Sequence, residues 1–257
     1  MKPIDVVMTT KNSDQILGEC LRIIYENVPV KRLIVVDAFS TDNTVKILNR
    51  FNRKYGNVKI ISEKGTRAKA RERGIREVET EWFMFADSDM ILCADWFKKA
   101  EKYVAEGVGA VWGVNIDVIP DVKSKLFYRS LIAVAREAFN LRGGTHDTLI
   151  RHELVKDVKI PQNWRTYEDA YIIDWVKKKG YKAIIGDDLY CLHYRPREDW
   201  NFRESLWLGY IEIKYGLFYF YSFRYAFYYP FFVLYWILQL LHRNSENYPR
   251  KRIRKNR

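Results

Sequence analysis

The sequence of 257 residues is poor in cysteine and proline and contains no repeat or low-complexity segment. Its three cysteines, Cys20, Cys93 and Cys191, are odd in number and far apart, which fits neither a disulfide framework nor a CxxC metal site. We therefore expect a reducing, cytosolic setting. We also expect no signal peptide, because the apolar run from Ile4 to Thr9 is too short and is typical of a strand.

Hydrophobic residues are plentiful at 48%, which provides a buried core and excludes a disordered or fibrous protein. The length fits one large α/β domain with an appendage. The net charge of +12 is uneven, since residues 243–257 hold seven Lys or Arg residues and one acid. Such a tail favours phosphate-rich partners, either nucleic acid or an anionic membrane; a solvated tail is an equally good interpretation.

Short apolar segments alternate with helical patterns along the first half of the chain. The predicted strands are Ile4–Met8, Leu33–Val36, Val58–Ile61 and Trp82–Ala86. Strands that alternate with helices pair in parallel through right-handed crossovers. The predicted fold class is therefore α/β, with a Rossmann-like, mostly parallel sheet flanked by helices over residues 1–200.

The chain changes character after Gly216. Thirteen of the twenty residues in Leu217–Trp236 are aromatic, and Val233–Leu241 adds an aliphatic stretch. This density of rings does not fit another strand–helix repeat, so residues 201–257 are predicted to form an aromatic-rich, basic, helical C-terminal appendage. Pro230 breaks this segment, and tyrosines prefer the membrane interface, so we expect a hairpin lying in an anionic leaflet. The alternative is an aromatic helix pair packed on the domain or on a partner subunit.

Polar side chains follow the predicted strands at the edge where ligands bind in parallel sheets. Each of these residues is common in turns and indicates little alone, so it is their placement at one edge that indicates a ligand site. They are Thr9, Thr10 and Asn12 after the first strand, Asp37 at the end of the second, and Asp87 and Asp89 after the fourth.

Two carboxylates stand at positions i and i+2 in the Asp87-Ser88-Asp89 turn. In a tight turn both can face a hard cation, Mn²⁺ or Mg²⁺, which also takes diphosphate oxygens. His193 follows a later apolar segment, where a lone histidine is more often a satisfied surface or core residue than a ligand. The need of Asp87 and Asp89 for a third ligand makes it a candidate.

Basic residues crowd the segment after the third predicted strand, where arginine forks match phosphate oxygens. For at least half of these residues we expect only a solvated basic helix face; the residues are Lys64, Arg67, Lys69, Arg71 and Arg73. Glu168 and Asp169 open a further helical pattern. They are interpreted either as N-terminal capping acids or as a general base at the rim of the crevice.

The ordered set of these motifs resembles glycosyltransferase family 2, the inverting enzymes of the GT-A fold. The matching segments are Val7–Asn12, Val35–Asp42, Gly65–Ile75, Phe85–Asp89, Gly143–Gly144 and Glu168–Asp169. The sequence departs from the family at Ala38, where a second acid is frequent, and at Glu72, where an asparagine is common, which leaves the nucleotide open. The QxxRW pattern of processive members is absent, since Asn163-Trp164-Arg165 does not reproduce it, so single addition is favoured.

The resemblance implies roles for individual residues on the donor side. Thr9, Thr10 and Asp37 would face the base and ribose, with Asn12 beside them, and Arg71 would contact uracil or diphosphate. The metal site would contain Asp89, with Asp87 touching ribose or metal and His193 as a further metal or diphosphate contact.

On the acceptor side, the resemblance makes Asp169 the catalytic base, with Gly143, Gly144 and Glu168 in the sugar and acceptor region. The implied activity is metal-dependent transfer of one sugar from a UDP- or GDP-sugar to a sugar or lipid-linked acceptor. Because nucleotide sugars are cytosolic, the expected location is the cytoplasmic face of a membrane, peripheral or monotopic.

Two other classes of protein remain as alternatives. A sugar nucleotidyltransferase would carry a glycine-rich, arginine-containing loop after the first strand, which Thr9–Asn12 is not. A protein that binds single-stranded nucleic acid would interleave aromatic and basic residues. Here Arg224 stands alone inside the aromatic run, so no nucleic-acid partner is expected.

Overall fold

The computed structural model describes residues 1–118, 144–162 and 168–194. The strands are β1 (Ile4–Thr10), β2 (Val30–Asp37), β3 (Val58–Ser62), β4 (Trp82–Asp87), β5 (Met90–Leu92), β6 (Val108–Val118), β7 (Asp147–Arg151) and β8 (Lys182–Tyr194). The helices are α1 (Leu17–Asn27), α2 (Thr44–Tyr55), α3 (Arg67–Arg76), α4 (Trp96–Glu101), α5 (His152–Val155) and α6 (Glu168–Lys178). Gly143 and the predicted appendage, residues 201–257, lie outside the described residues.

The eight strands form one sheet in the order β3-β2-β1-β4-β7-β6-β8-β5. The half made of β3, β2, β1 and β4 is parallel throughout, as the sequence predicted. Strand β7 pairs antiparallel with both β4 and β6, β8 runs parallel to β6, and β5 runs antiparallel to β8. The sheet is therefore mixed, with parallel pairs in the majority, and the predicted α/β class is confirmed.

Alternate residues of the central strands supply two separate cores. In β1, Val6 and Met8 pack on the face covered by α1, α2 and α4, whereas Val7 packs on the face covered by α3, α5 and α6. Because successive side chains of a strand point to opposite faces, an unbroken apolar strand predicts a sheet that is covered on both sides. The near-continuous runs in β2 and β4 follow the same rule.

Helix α3 lies close to the parallel half of the sheet and starts at a side-chain cap. Thr66 Oγ1 accepts a hydrogen bond from the Lys69 amide, which satisfies a donor of the first turn. On the buried side of this helix, a Cβ atom added at Gly74 would stand 2.4 Å from Val7. The glycine thus allows the helix to approach β1. None of the described helices is long and apolar enough to cross a membrane.

Candidate active site

The register of the parallel strands gathers the predicted polar residues at one edge. Thr10 pairs with Asp37 across β1 and β2, and Thr9 pairs with Asp87 across β1 and β4. Thr9 and Thr10 are the last residues of β1, so this strand runs two residues further than the sequence predicted. Adjacent strands of a sheet lie about 5 Å apart, so these three strand ends form one continuous surface.

The loops after β1 and β2 are tied to each other. Asp37 is buried and its carboxylate accepts hydrogen bonds from the Ser40 amide at 2.9 Å and the Ser40 hydroxyl at 2.5 Å. Asn12 donates its amide to Ser40 Oγ at 2.8 Å and accepts from the Thr41 amide at 2.9 Å. In this structure Asp37 therefore shapes the turn, and its predicted contact with the nucleotide stays a prediction.

A chain of hydroxyl groups, which the sequence alone did not reveal, links β1 to the Asp87-Ser88-Asp89 turn. Thr10 donates to Ser13 Oγ at 2.9 Å, and Ser13 Oγ lies 2.9 Å from Ser88 Oγ. Serine and threonine are too common in turns for this pairing to be visible in one sequence. The chain fixes the middle residue of the turn and so orients the two carboxylates that flank it.

Asp87, Asp89 and His193 converge as predicted. One candidate ligand atom from each residue lies within 4.8 Å of the others. His193 Nε2 is 3.0 Å from Asp89 Oδ1, and the Tyr194 amide donates to the Asp89 carbonyl at 2.8 Å. His193 lies within β8 rather than after a strand, and the pairing of β5 with β8 brings it to the carboxylates.

Arg71 joins Asp87 to Glu168 in the interior. Its Nη2 lies 3.1 Å from Asp87 Oδ1 and its Nε lies 3.1 Å from Glu168 Oε1. Arg71 and Glu168 are 2% and 1% exposed, so the pair is desolvated. Burial lowers the pKa of Arg71, but the charges of Asp87 and Glu168 outweigh it and raise the pKa overall, so the guanidinium stays charged. In this structure the side chain of Arg71 is thus paired with two acids, Asp87 and Glu168.

The two acids have unlike electrostatic surroundings. Burial raises the pKa of Glu168 despite the neighbouring Arg71 charge. Burial also acts to raise the pKa of Asp87, but the charges of Arg71 and His193 lower it overall. Asp87 is therefore held as a carboxylate, which is the form that binds a cation.

Glu168 and Asp169 begin α6, as predicted, but differ in exposure. Glu168 is buried against Arg71, whereas Asp169 is partly exposed and its Oδ1 accepts a hydrogen bond from the Ala170 amide at 2.7 Å. The more accessible carboxylate is thus the second of the pair.

Two adjacent residues next to the site, half-buried His146 and buried Asp147, were also missed by the sequence analysis. The Asp87 amide donates to the His146 carbonyl at 3.1 Å. Asp147 accepts from Trp96 Nε1 at 3.0 Å and from the Gly113 amide at 3.2 Å. Burial raises the pKa of the Asp147 carboxyl. These contacts depend on how β7 packs against distant segments, so a single sequence does not reveal them.

Gly144 lies beside this pair. A Cβ atom built on it would stand 2.2 Å from the His146 ring, and its carbonyl accepts a hydrogen bond from the Thr148 hydroxyl. The glycine is thus required for the position of the imidazole. Its predicted contact with sugar or acceptor stays a prediction, and Gly143 lies outside the described residues.

The sequence profile of Glycosyl transferase family 2 matches residues 5–157, more than half of the chain. The chain belongs to this family. Among its relatives, the minor teichoic acid biosynthesis protein GgaB of Bacillus subtilis is 24% identical over 76% of the chain and 23% of its own length. A poly(ribitol-phosphate) beta-glucosyltransferase of Bacillus spizizenii is 27% identical over 76% of the chain and 32% of its own length. The chain thus spans 23% and 32% of the lengths of these two relatives.

Solved structures of glycosyltransferases share the fold. The mannosyltransferase PcManGT of Pyrobaculum calidifontis, in complex with GDP-Man and Mn²⁺, has a TM-score of 0.60 at 23% identity, over 77% of this chain and 59% of its own. S. aureus TarS 1-349, in complex with UDP-GlcNAc, has a TM-score of 0.58 at 20% identity, over 77% and 60%. The fold of this family member is of the GT-A type.

Proposed function

We propose that this family member transfers a single sugar from a nucleotide-sugar donor to an acceptor, with a divalent metal and with inversion at the anomeric carbon. The observation that carries the proposal is the convergence of Asp87, Asp89 and His193 beside the Arg71–Glu168 pair, with Asp169 at the start of α6. The donor would be a UDP- or GDP-sugar, in keeping with the ligands named for TarS and PcManGT.

The candidate ligand atoms of Asp87, Asp89 and His193 fit a divalent cation. Two carboxylates and one imidazole lie within 4.8 Å of one another. Oxygen ligands suit Mg²⁺ and Mn²⁺, and histidine also binds transition metals. When bound, such an ion supplies charge neutralisation for the diphosphate that leaves. Asp89, Asp87 and His193 would hold it.

Asp169 acts as the general base in this mechanism. An acceptor hydroxyl is a poor nucleophile at neutral pH, so its proton must leave as the new bond forms. Asp169 receives this proton on its carboxylate as the acceptor oxygen attacks the anomeric carbon and the diphosphate departs from the opposite face. Glu168 is unsuited to this role, because it is buried and its Oε1 is paired with Arg71.

Arg71 has a supporting role on the donor side. Its guanidinium holds the Asp87 carboxylate at 3.1 Å and keeps it ionised. The charge is buried with its two acids, so it acts in a medium of low effective dielectric constant, where a fixed charge is effective.

The test combines donor binding with turnover. UDP- and GDP-sugars are incubated with the protein and with Mn²⁺, Mg²⁺ or excess chelator, and both heat stabilisation and release of nucleoside diphosphate are measured. We expect both to require the metal. Full transfer in chelator removes the metal from the mechanism. Release of pyrophosphate from a nucleoside triphosphate and a sugar phosphate indicates a nucleotidyltransferase instead, and stabilisation by an oligonucleotide alone indicates a nucleic-acid-binding protein.

For the acceptor, we propose a sugar or lipid-linked molecule met at the cytoplasmic face of an anionic membrane. The aromatic run of Leu217–Trp236 and the seven basic residues of Arg243–Arg257 support it, since rings and cations favour a charged interface. Co-sedimentation of the full chain with vesicles containing anionic lipid is expected, and with neutral vesicles much less. A chain that stays soluble without detergent and ignores anionic vesicles contradicts this proposal.

A further inference from the structure

Three non-glycine residues of the described chain have left-handed backbone conformations: Asn12 at φ 50°, Phe39 at φ 55° and Asp95 at φ 57°. Asparagine and aspartate adopt this region readily, because their short polar side chains bond locally. Phenylalanine has no such bond, so its Cβ and ring are strained there. Phe39 is thus the one of the three whose residue type does not explain its conformation.

Phe39 is also exposed. Its side chain is 58% accessible, more than any other large hydrophobic side chain in the part of the chain that the structure describes. An exposed ring adds little to core packing. Folding therefore gains little from phenylalanine at a position where glycine would adopt the conformation without strain.

The surroundings hold Phe39 in this conformation at the proposed donor edge. On one side of it, the Ala38 amide donates to the Thr10 carbonyl at 2.9 Å. On the other side, the Ser40 amide donates to Asp37 at 2.9 Å. Strained residues that the neighbouring structure fixes in this way cluster at ligand sites.

We propose that Phe39 is a donor-binding residue whose ring stacks on the base of the nucleotide sugar. This inference rests on the proposed function. Every nucleobase offers a π face, so a phenyl ring contributes affinity without choosing between uracil and guanine. This role explains why Phe39 is strained and exposed in the free protein: its ring contacts the nucleotide base instead of the core.

The test separates the ring from the backbone with Phe39→Ala, Phe39→Gly and Phe39→Tyr. Binding of UDP, GDP and pyrophosphate is measured by calorimetry with Mn²⁺ present. The Ala and Gly variants are expected to bind UDP and GDP about tenfold more weakly than wild type, and the Tyr variant about as tightly as wild type. Pyrophosphate, which has no base, is expected to bind all four proteins alike.

Thermal unfolding supplies the second readout. Ala and Gly both lack the ring, but only Gly relieves the backbone, so Phe39→Gly is expected to melt about 2 °C above Phe39→Ala. Wild-type affinity for UDP in the Ala variant overturns the stacking proposal, and so does an equal loss for pyrophosphate. A Gly variant no more stable than Ala overturns the strain argument. If wild type binds neither nucleotide, the proposed function itself fails.

Discussion

Two edges of the sheet, one where the parallel strands begin and one where they end, each carry a partly buried Asp–Arg pair, and the two pairs are completed in different ways. At the amino edge, Arg32 contacts both oxygens of Asp5, at 3.0 and 2.5 Å, and the Glu79 amide donates to Asp5 Oδ2 at 2.8 Å. Asp5 is fully buried, and Arg32 also donates to the Glu77 carbonyl at 2.9 Å. Every oxygen of the Asp5 carboxylate has a protein partner.

The carboxyl edge is left open by comparison. Among the described residues, Arg71 Nη1 and Glu168 Oε2 are buried atoms without a hydrogen-bond partner. The Asp87 side chain is 25% exposed although Arg71 holds one of its oxygens. Unsatisfied buried polar groups are costly and rare, so these two atoms call for a partner such as an ordered water, an ion or a ligand. The closed edge is saturated with protein partners, whereas under the proposed function the open edge would offer its unpaired atoms to a substrate.

The largest expected effect of a substitution is at the open edge. Asp89→Ala removes a proposed metal ligand and is expected to abolish transfer and donor binding, while the melting temperature stays close to that of wild type. The control is Asp157→Ala, which removes an exposed acid that pairs with Lys179. Transfer by the Asp89 variant at the wild-type rate contradicts the metal assignment.

The next effect concerns the base. Asp169→Asn keeps the shape and removes the proton acceptor, so kcat is expected to fall by roughly 10²- to 10⁴-fold with donor affinity unchanged. Asp174→Asn is the matched control, because it changes an acid of the same helix that pairs with Lys178. If the Asp169 variant loses donor binding and keeps its turnover, the assignment of Asp169 as the base is wrong.

The contrast between the edges also explains what the sequence could predict. Strand ends in a parallel sheet meet at one edge by geometry alone, so Thr10, Asp37 and Asp87 were placed correctly. The antiparallel β7 follows no such rule, because its position between β4 and β6 depends on long-range pairing. His146, the residue before that strand, was accordingly missed.

The sequence also could not predict which side chains form ion pairs with each other. The basic residues after β3 were interpreted either as phosphate contacts or as a solvated helix face, and the sequence did not show that Arg71 is buried between two acids or that Lys69 pairs with Glu63. A sequence gives the number of charges and their order. It does not show which acid from a distant segment neutralises each one, because this depends on packing.

At the closed edge, a substitution is expected to reduce stability and leave activity intact. Asp5→Ala leaves Arg32 without its main partner and the Glu79 amide without an acceptor. The free energy of unfolding is expected to fall by about 3 kcal/mol, at the low end for a broken buried pair because Arg32 is 22% exposed. Urea denaturation measures this change. If kcat of the Asp5 variant falls together with the free energy of unfolding, the two edges are not independent.

The smallest effect is the pH dependence of stability, and it takes opposite signs at the two edges. Burial acts to raise the pKa of Asp5, but the hydrogen bonds from Arg32 and Glu79 lower it overall. The stability contributed by Asp5 is therefore complete above its unfolded pKa of about 3.9 and is lost as the pH falls through the folded pKa. Glu168 has a raised pKa, so its ionisation destabilises the fold as the pH rises above about 4.3.

Urea midpoints between pH 2 and pH 8 separate these two contributions. Asp5→Asn is expected to flatten the acid limb of the profile, and Glu168→Gln is expected to flatten the decline above pH 4.3. Each variant should leave the other limb as it is in wild type, because the two carboxyl groups lie at opposite edges of the sheet. If either variant changes both limbs, the two clusters titrate as one unit, and the division between a closed stabilising edge and an open ligand-binding edge is wrong.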